Sequence, residues 1–263
     1  MDLNNNFYIE LPSNASYDMF KSNTTDNFRV HLAHPLNLEG SWEVALVECS
    51  YPRTFYNVPL TSYFEYRIIS FDDKIPANKI YSEVRRILIK GGYYSAASQL
   101  IQELKYEAHQ LKGVDISFIY NSSLRKLSLI GSKNVEIRLS DRLAYVCGWE
   151  PSVWHTAASV PRGCLDLTGG RYHLYIYVDI INYQLVGDAH APLLRTVKIT
   201  GEWGETQSIN YNAPHYLSVS KSFIDTIAVT VRADTGERMD FLYGKVLIKL
   251  HFRKKPSPTL LSP

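Results

Sequence analysis

The sequence predicts a mainly β protein: an eight-stranded antiparallel jelly-roll sandwich with an inserted α+β segment. Three observations predict it. His173–Ile180, Ile227–Arg232 and Lys245–Arg253 each alternate apolar with polar or aromatic residues, the period-two pattern of a sheet with one buried face. Trp42–Tyr51 is apolar on both faces, which predicts a strand covered on both sides in the middle of the sandwich. Between these β-rich regions, residues 71–163 change to a mixed helix and strand pattern.

Taken in order, Phe7–Glu10 fits a short strand stopped by Pro12, and residues 11–26 form a polar loop rich in Ser, Asn, Thr and Asp. Phe28, Val30 and Leu32 alternate with Arg29 and His31 in a strand that Pro35 is expected to interrupt. Leu38-Glu39-Gly40-Ser41 reads as a turn, Pro52 closes the Trp42–Tyr51 strand, and Tyr63–Ile69 predicts another strand. After Gly91-Gly92, Ser95 is the expected N-cap of a helix carrying Ala97, Leu100, Ile101, Leu104, Ala108 and Leu111 at helical spacing. Val114–Tyr120, Lys126–Ile130 and Val135–Leu139 are strand-like. A short helix follows, with Ser140 as N-cap, Asp141 in the first turn and Gly148 at its C-terminal end. Later strands are expected near 172–180, 194–200, 206–211, 224–232 and 243–253. With three early strands they make about eight, the number of a jelly roll. The division is therefore 1–70 and 164–255 for the two halves of the roll, 71–163 for the insertion and 256–263 for a flexible, proline-rich tail.

Composition narrows the function. The 263 residues are 45% hydrophobic, enough for a full core, and 28 basic against 26 acidic residues leave a net charge of +2. That balance argues against a protein whose main affinity comes from neutralising many phosphates. Nineteen tyrosines against ten phenylalanines suit either subunit contacts, half dry and half wet, or simply a surplus of strand. Three separated cysteines, Cys49, Cys147 and Cys164, fit neither a disulfide framework nor a zinc ribbon and suggest a reducing, intracellular origin. The first residues carry no secretion signal, and no apolar run is long enough to span a membrane.

The chemistry-bearing residues form no constellation. His31 and His34 fall on opposite faces of a strand. Asp188-Ala189-His190 supplies only one histidine of a metal-binding cupin signature. Cys49 reads as a small core hydrophobe and Cys147 closes the short helix, while Cys164, beside Arg162, is the most reactive in setting but has no partner in sequence. Gly169-Gly170 and Gly201-Glu202-Trp203-Gly204 lack the spacing of a phosphate loop. No catalytic, cofactor-binding or metal-ligating residue is assigned, and no cofactor is expected.

Several blocks, taken together, resemble one family: Leu11–Ser16, Trp42–Glu48 with Tyr51-Pro52, Gly92–Ser95, Leu139-Ser140 through Gly148-Trp149, Leu174–Asp179, Val186-Gly187-Asp188, Pro192–Arg195 and Leu250–Arg253. In this order they resemble the minor capsid, or penton, proteins of Polinton (Maverick) elements and related adintoviruses, over roughly residues 7 to 253. The resemblance implies a non-enzymatic jelly-roll protomer forming pentamers at the vertices of an icosahedral shell. It also implies a separate major capsid protein as partner, location in the virion and no membrane association. The basic end Arg253-Lys254-Lys255 would make at most weak contact with packaged DNA. A rival reading is an intracellular lectin-like or receptor-binding jelly roll, for which the loop aromatics Trp154 and Trp203 are the best sequence support. A metal-dependent, cupin-like enzyme is a distant third.

Overall fold

The computed structural model describes residues 5–71 and 79–255. In chain order the early strands are β1 (Asn6–Pro12), β2 (Asn27–Asn37), β3 (Trp42–Pro52), β4 (Tyr63–Phe71), β5 (Lys79–Tyr81) and β6 (Arg85–Leu88). Helix α1 (Ala97–His109), strands β7 (Ile116–Asn121), β8 (Lys126–Gly131) and β9 (Val135–Leu139), helix α2 (Asp141–Cys147) and β10 (His155–Thr156) follow. The rest are β11 (His173–Val178), β12 (Gln184–Val186), β13 (Ala189–Ala191), β14 (Leu193–Lys198), β15 (Thr206–Asn210), β16 (Leu217–Ser218), β17 (Phe223–Ala233) and β18 (Leu247–Lys254). Two compact units result: residues 1–55 with 171–263, and residues 56–170.

The first unit is a jelly roll. One sheet runs β1-β18-β3-β15, with β16 also on β3, and the other runs β14-β11-β17-β2. All pairings are antiparallel. The inner faces follow the period-two rule: Leu174, Ile176 and Val178 of β11, Ile227, Val229 and Val231 of β17, and Ile248, Leu250 and Phe252 of β18 are all buried. Phe252 stacks on Phe7 with ring centroids 4.9 Å apart, and Phe7 in turn tilts against Trp42 at 5.5 Å. Tyr51 is buried, and its hydroxyl donates to the Lys198 carbonyl at 3.0 Å and accepts the Thr200 N–H at 2.8 Å. A polar tip is thereby satisfied inside an apolar core.

The structure corrects the sequence reading of Trp42–Tyr51. The strand's outer face is covered only in part, at Ala45. Its register with β18 shifts between Lys249 and Leu250, so that Glu48 opposes Lys249 while Leu46 opposes Leu250. The extra residue, Val47, switches the parity of the strand, as a bulge does. Trp42, Val44 and Leu46 therefore share the core with Cys49 and Tyr51, and Glu43, Glu48 and Ser50 are only half-buried.

Pro35 does not end the second strand either. β2 continues to Asn37, with its register on β17 shifting between Ile224 and Thr226. β2 is the last strand in its sheet, where a missing N–H removes no ladder bond. The segment around Asp188 forms the β12–β13 ribbon, with Gly187 at φ +62° in its turn.

The second unit holds a five-stranded sheet, β10-β9-β4-β5 with β6 also on β4, and a separate β7–β8 hairpin. Its core joins Phe64 and Tyr66 of β4, Leu100 and Leu104 of α1, Phe118 of β7, Leu127 and Leu129 of β8 and Leu143 of α2. The division falls at 55/56 and 170/171, rather than at 70/71 and 163/164. Tyr63–Phe71, read as an early strand of the β domain, pairs with β9, β6 and β5, and Asn6–Pro12 supplies an edge of the roll instead. Helix α2 begins at Ser140 and ends at Gly148 with φ +74°, as expected. Helix α1 starts one residue later than expected, with Ala96 at the N-cap. The Gln99 side-chain oxygen takes up the Ser95 and Ala96 N–H groups at 2.9 and 3.3 Å. The proline-rich tail 256–263 lies outside the described residues.

Candidate functional site

The outer face of the β1-β18-β3-β15 sheet is built from alternation. Where Phe7, Ile9 and Leu11 turn inward, Tyr8 and Glu10 turn outward; where Ile248, Leu250 and Phe252 are buried, Lys249, His251 and Arg253 face out. The register then sets charges against each other. Glu10 lies opposite Lys249, Lys249 opposite Glu48, and Arg253 opposite Glu43. Lys249 Nζ is 3.0 Å from Glu10 and 3.9 Å from Glu48, and Arg253 is 2.9 Å from Glu43. Hydrogen bonding to Glu10, reinforced by its charge, moves the Lys249 ammonium above its ordinary pKa.

Aromatic rings link the ion pairs. Arg253 sits 3.5 Å over the Tyr216 ring, and the Tyr216 hydroxyl lies 2.6 Å from His251 Nδ1. The imidazole stacks on Tyr8 at 4.4 Å. Burial, and then the Arg253 charge, hold His251 below the usual histidine pKa. The Tyr216 hydroxyl and Nδ1 share a hydrogen bond whose direction the imidazole tautomer sets. Tyr8, Glu10, Val47, Glu48, Asn210 and Lys249 line a shallow cavity of about 550 Å³ on this face. Cross-strand pairs of this kind stabilise a sheet and present a fixed charge pattern. The arrangement can bind a complementary polar surface.

The second unit carries a comparable face. Glu65 is buried between Arg86 and Arg138, at 2.7 and 2.6 Å. Burial raises its pKa, but bonds to Arg138 and Arg86 outweigh that and leave the carboxyl below its ordinary value. Arg67 pairs with Glu136 at 2.6 Å and lies between the rings of Tyr81 and Trp154, which are 3.9 and 4.3 Å away. Trp154 also covers Arg138 at 4.8 Å. Read from the sequence as a free loop aromatic, it is instead a lid on two guanidinium groups. Trp203 is half-buried.

The sequence candidates do not converge. His31 lies on the exposed side of β2, 3.4 Å from Thr226, and His190 is exposed on β13. Cys49 and Cys147 are buried, which pushes both thiols up to about 12, whereas Cys164 is exposed with its sulfur 3.5 Å from the Leu124 carbonyl. Among the described residues no group of three or more His, Cys, Asp or Glu could hold a metal ion, and no helix is long and apolar enough to cross a membrane. Lys249 and Arg253 lie on the outer face of the last strand. Lys245 is exposed just ahead of β18. Sequence reasoning did not single out Glu43, Glu48, Tyr8 or Tyr216: it shows acids in the first strands and bases in the last, but their opposition comes from register.

By strand order the first unit is a jelly roll. No family model and no curated protein matches the chain. Among solved structures it is similar in fold to the crystal structure of the selenomethionine-labelled mavirus penton protein. That match has 12% identity and a TM-score of 0.47, and covers 95% of this chain and all of that one.

Proposed function

We propose that the protein is a structural minor capsid (penton) protein of a Polinton-like or adintovirus-like element, assembling as a homopentamer at the vertices of a virion shell beside a major capsid protein. What carries this reading is where the resembling blocks fall. Trp42–Glu48 lies in β3, Leu174–Asp179 in and just after β11, Pro192–Arg195 at β14 and Leu250–Arg253 in β18. These four of the eight blocks are strands of the jelly roll, while Leu11–Ser16 runs from β1 into a turn, Gly92–Ser95 precedes α1, Leu139–Trp149 spans α2 and Val186–Asp188 sits at the β12–β13 turn. The outer face is a plausible working surface because its charges are fixed by register, and a ring needs a heterologous contact that closes on itself. Tyr183 and Leu185 add exposed apolar surface at the β12–β13 ribbon, the kind that assembly covers.

Light scattering coupled to size-exclusion chromatography, followed by negative-stain microscopy with the co-expressed major capsid protein, tests the reading. Five-fold particles and co-assembly are expected. A strict monomer at high concentration that never associates with the major capsid protein would sink it.

A further inference from the structure

A polar cavity of about 440 Å³ lies in the first unit, beside the end of the ion-paired face where Ser218 opposes Glu43. It is lined by the turn before β3 (Leu38, Gly40, Ser41, Trp42), by Asn182, by residues 218–222 and by Lys255. We infer that this cavity is an oxyanion site that takes a phosphate group, held by Lys255 and a row of serine hydroxyls.

Three features carry the inference. First, residues 217–219 are extended: Val219 bridges Ile181, the Val219 N–H donates to the Trp42 carbonyl at 2.9 Å and the Ser220 N–H to the Ile180 carbonyl at 2.8 Å. Period two then turns Leu217 and Val219 toward the core and sets Ser218 and Ser220 outward, with Ser222 exposed at the bend that follows. Second, the charge is one-sided. No Asp or Glu lines the cavity. Lys221 is held by Asp179 at 2.8 Å, but among the described residues Lys254 and Lys255 have no acidic partner. Third, the lysines are brought in by the fold. Lys254 pairs with Trp42 in the ladder, and the Lys255 N–H donates to the Ser41 carbonyl at 2.8 Å. Gly40, at φ +82°, leaves room for the Lys254 stem, whose Cε would lie 3.4 Å from an added Cβ. Ammonium and hydroxyl donors around a cavity whose own lining holds no carboxylate are the chemistry that binds a phosphate oxyanion.

The phosphate could be free or part of a nucleic-acid backbone, and two arms separate these sources. In the first, inorganic phosphate is titrated into the full-length soluble protein by calorimetry or ³¹P line broadening. Saturable binding is expected, weakened about tenfold by Lys255→Gln and measurably by the uncharged double change Ser220→Ala/Ser222→Ala. Lys255→Arg should retain it, and an unchanged thermal melt shows that each variant folds. In the second, a labelled DNA duplex is followed by anisotropy across salt concentrations. If the backbone is the source, phosphate competes, and Lys254→Gln/Lys255→Gln lowers the log–log salt slope by about two. Phosphate binding without DNA binding assigns the free anion. Absence of phosphate binding overturns the site, as does DNA binding that ignores the serine changes and tracks total charge alone. Both arms use soluble protein, so failure to assemble a shell leaves this outcome unaffected.

Discussion

Phe252→Ala gives the sharpest test of how the roll is held together. Phe252 is fully buried, stacked on Phe7 with planes 5° apart. It lies on β18, which pairs with both β1 and β3. Truncation removes the transfer free energy of the ring and leaves a cavity flanked by Phe7, together about 3–5 kcal/mol. The lost ring pair is worth about 0.5–1.5 kcal/mol beyond burial, so a loss near the upper end of the range is expected. At roughly 2–4 °C per kcal/mol for a unit of this size, the melting transition should fall by about 10–20 °C. Phe252→Leu keeps much of the volume and should cost less than half as much. Differential scanning calorimetry of the three proteins, with Leu104→Ala in the second unit for comparison, makes the measurement. A Phe252→Ala shift below about 3 °C, or one no larger than that of Phe252→Leu, would refute the claim that this stack is packed as described.

Three further outcomes follow from the geometry. His251 is held below the ordinary histidine pKa by burial and then by the Arg253 charge, so it contributes stability that is complete above about pH 6.5 and is lost as pH falls through its depressed folded value; His251→Gln should flatten that part of a stability–pH profile, and an unchanged profile would count against the burial of His251 beside Arg253. Gly131 has φ +144° and an added Cβ would lie 2.1 Å from the Asp115 carbonyl, whereas a Cβ on Gly92 meets nothing within 4 Å; Gly131→Ala should cost about 2 kcal/mol or more in urea melts, and Gly92→Ala less than about 1 kcal/mol either way. In a thiol titration of the native protein, exposed Cys164 should react quickly while Cys49 and Cys147, buried with raised pKa values, wait for unfolding; Cys164→Ser should remove the fast phase.

Whatever depends on neighbours in the chain was legible early. The alternation of His173–Val178 and Leu247–Lys254, and the Ser140 and Gly148 limits of α2, are local consequences of side-chain spacing and backbone freedom. Pairing is not local. β18 lies between β1 and β3, near the other end of the chain, and its pattern does not say which strands flank it. Tyr63–Phe71 looks in sequence like another strand of the roll, yet its partners are β5, β6 and β9. One bulged residue at Val47 reassigned Cys49 and Tyr51 to the same face as Leu46, a parity switch that hydropathy alone reads as burial on both sides.

The sequence by itself determined a β-rich chain with a mixed interruption, because strand periodicity is written residue by residue. Only the tertiary structure decided which acids face which bases, where the two units divide, and that Ser41, Ser218–Ser222 and Lys255 meet around one cavity. Those facts depend on long-range register, which is set by how the whole core packs and not by any segment alone.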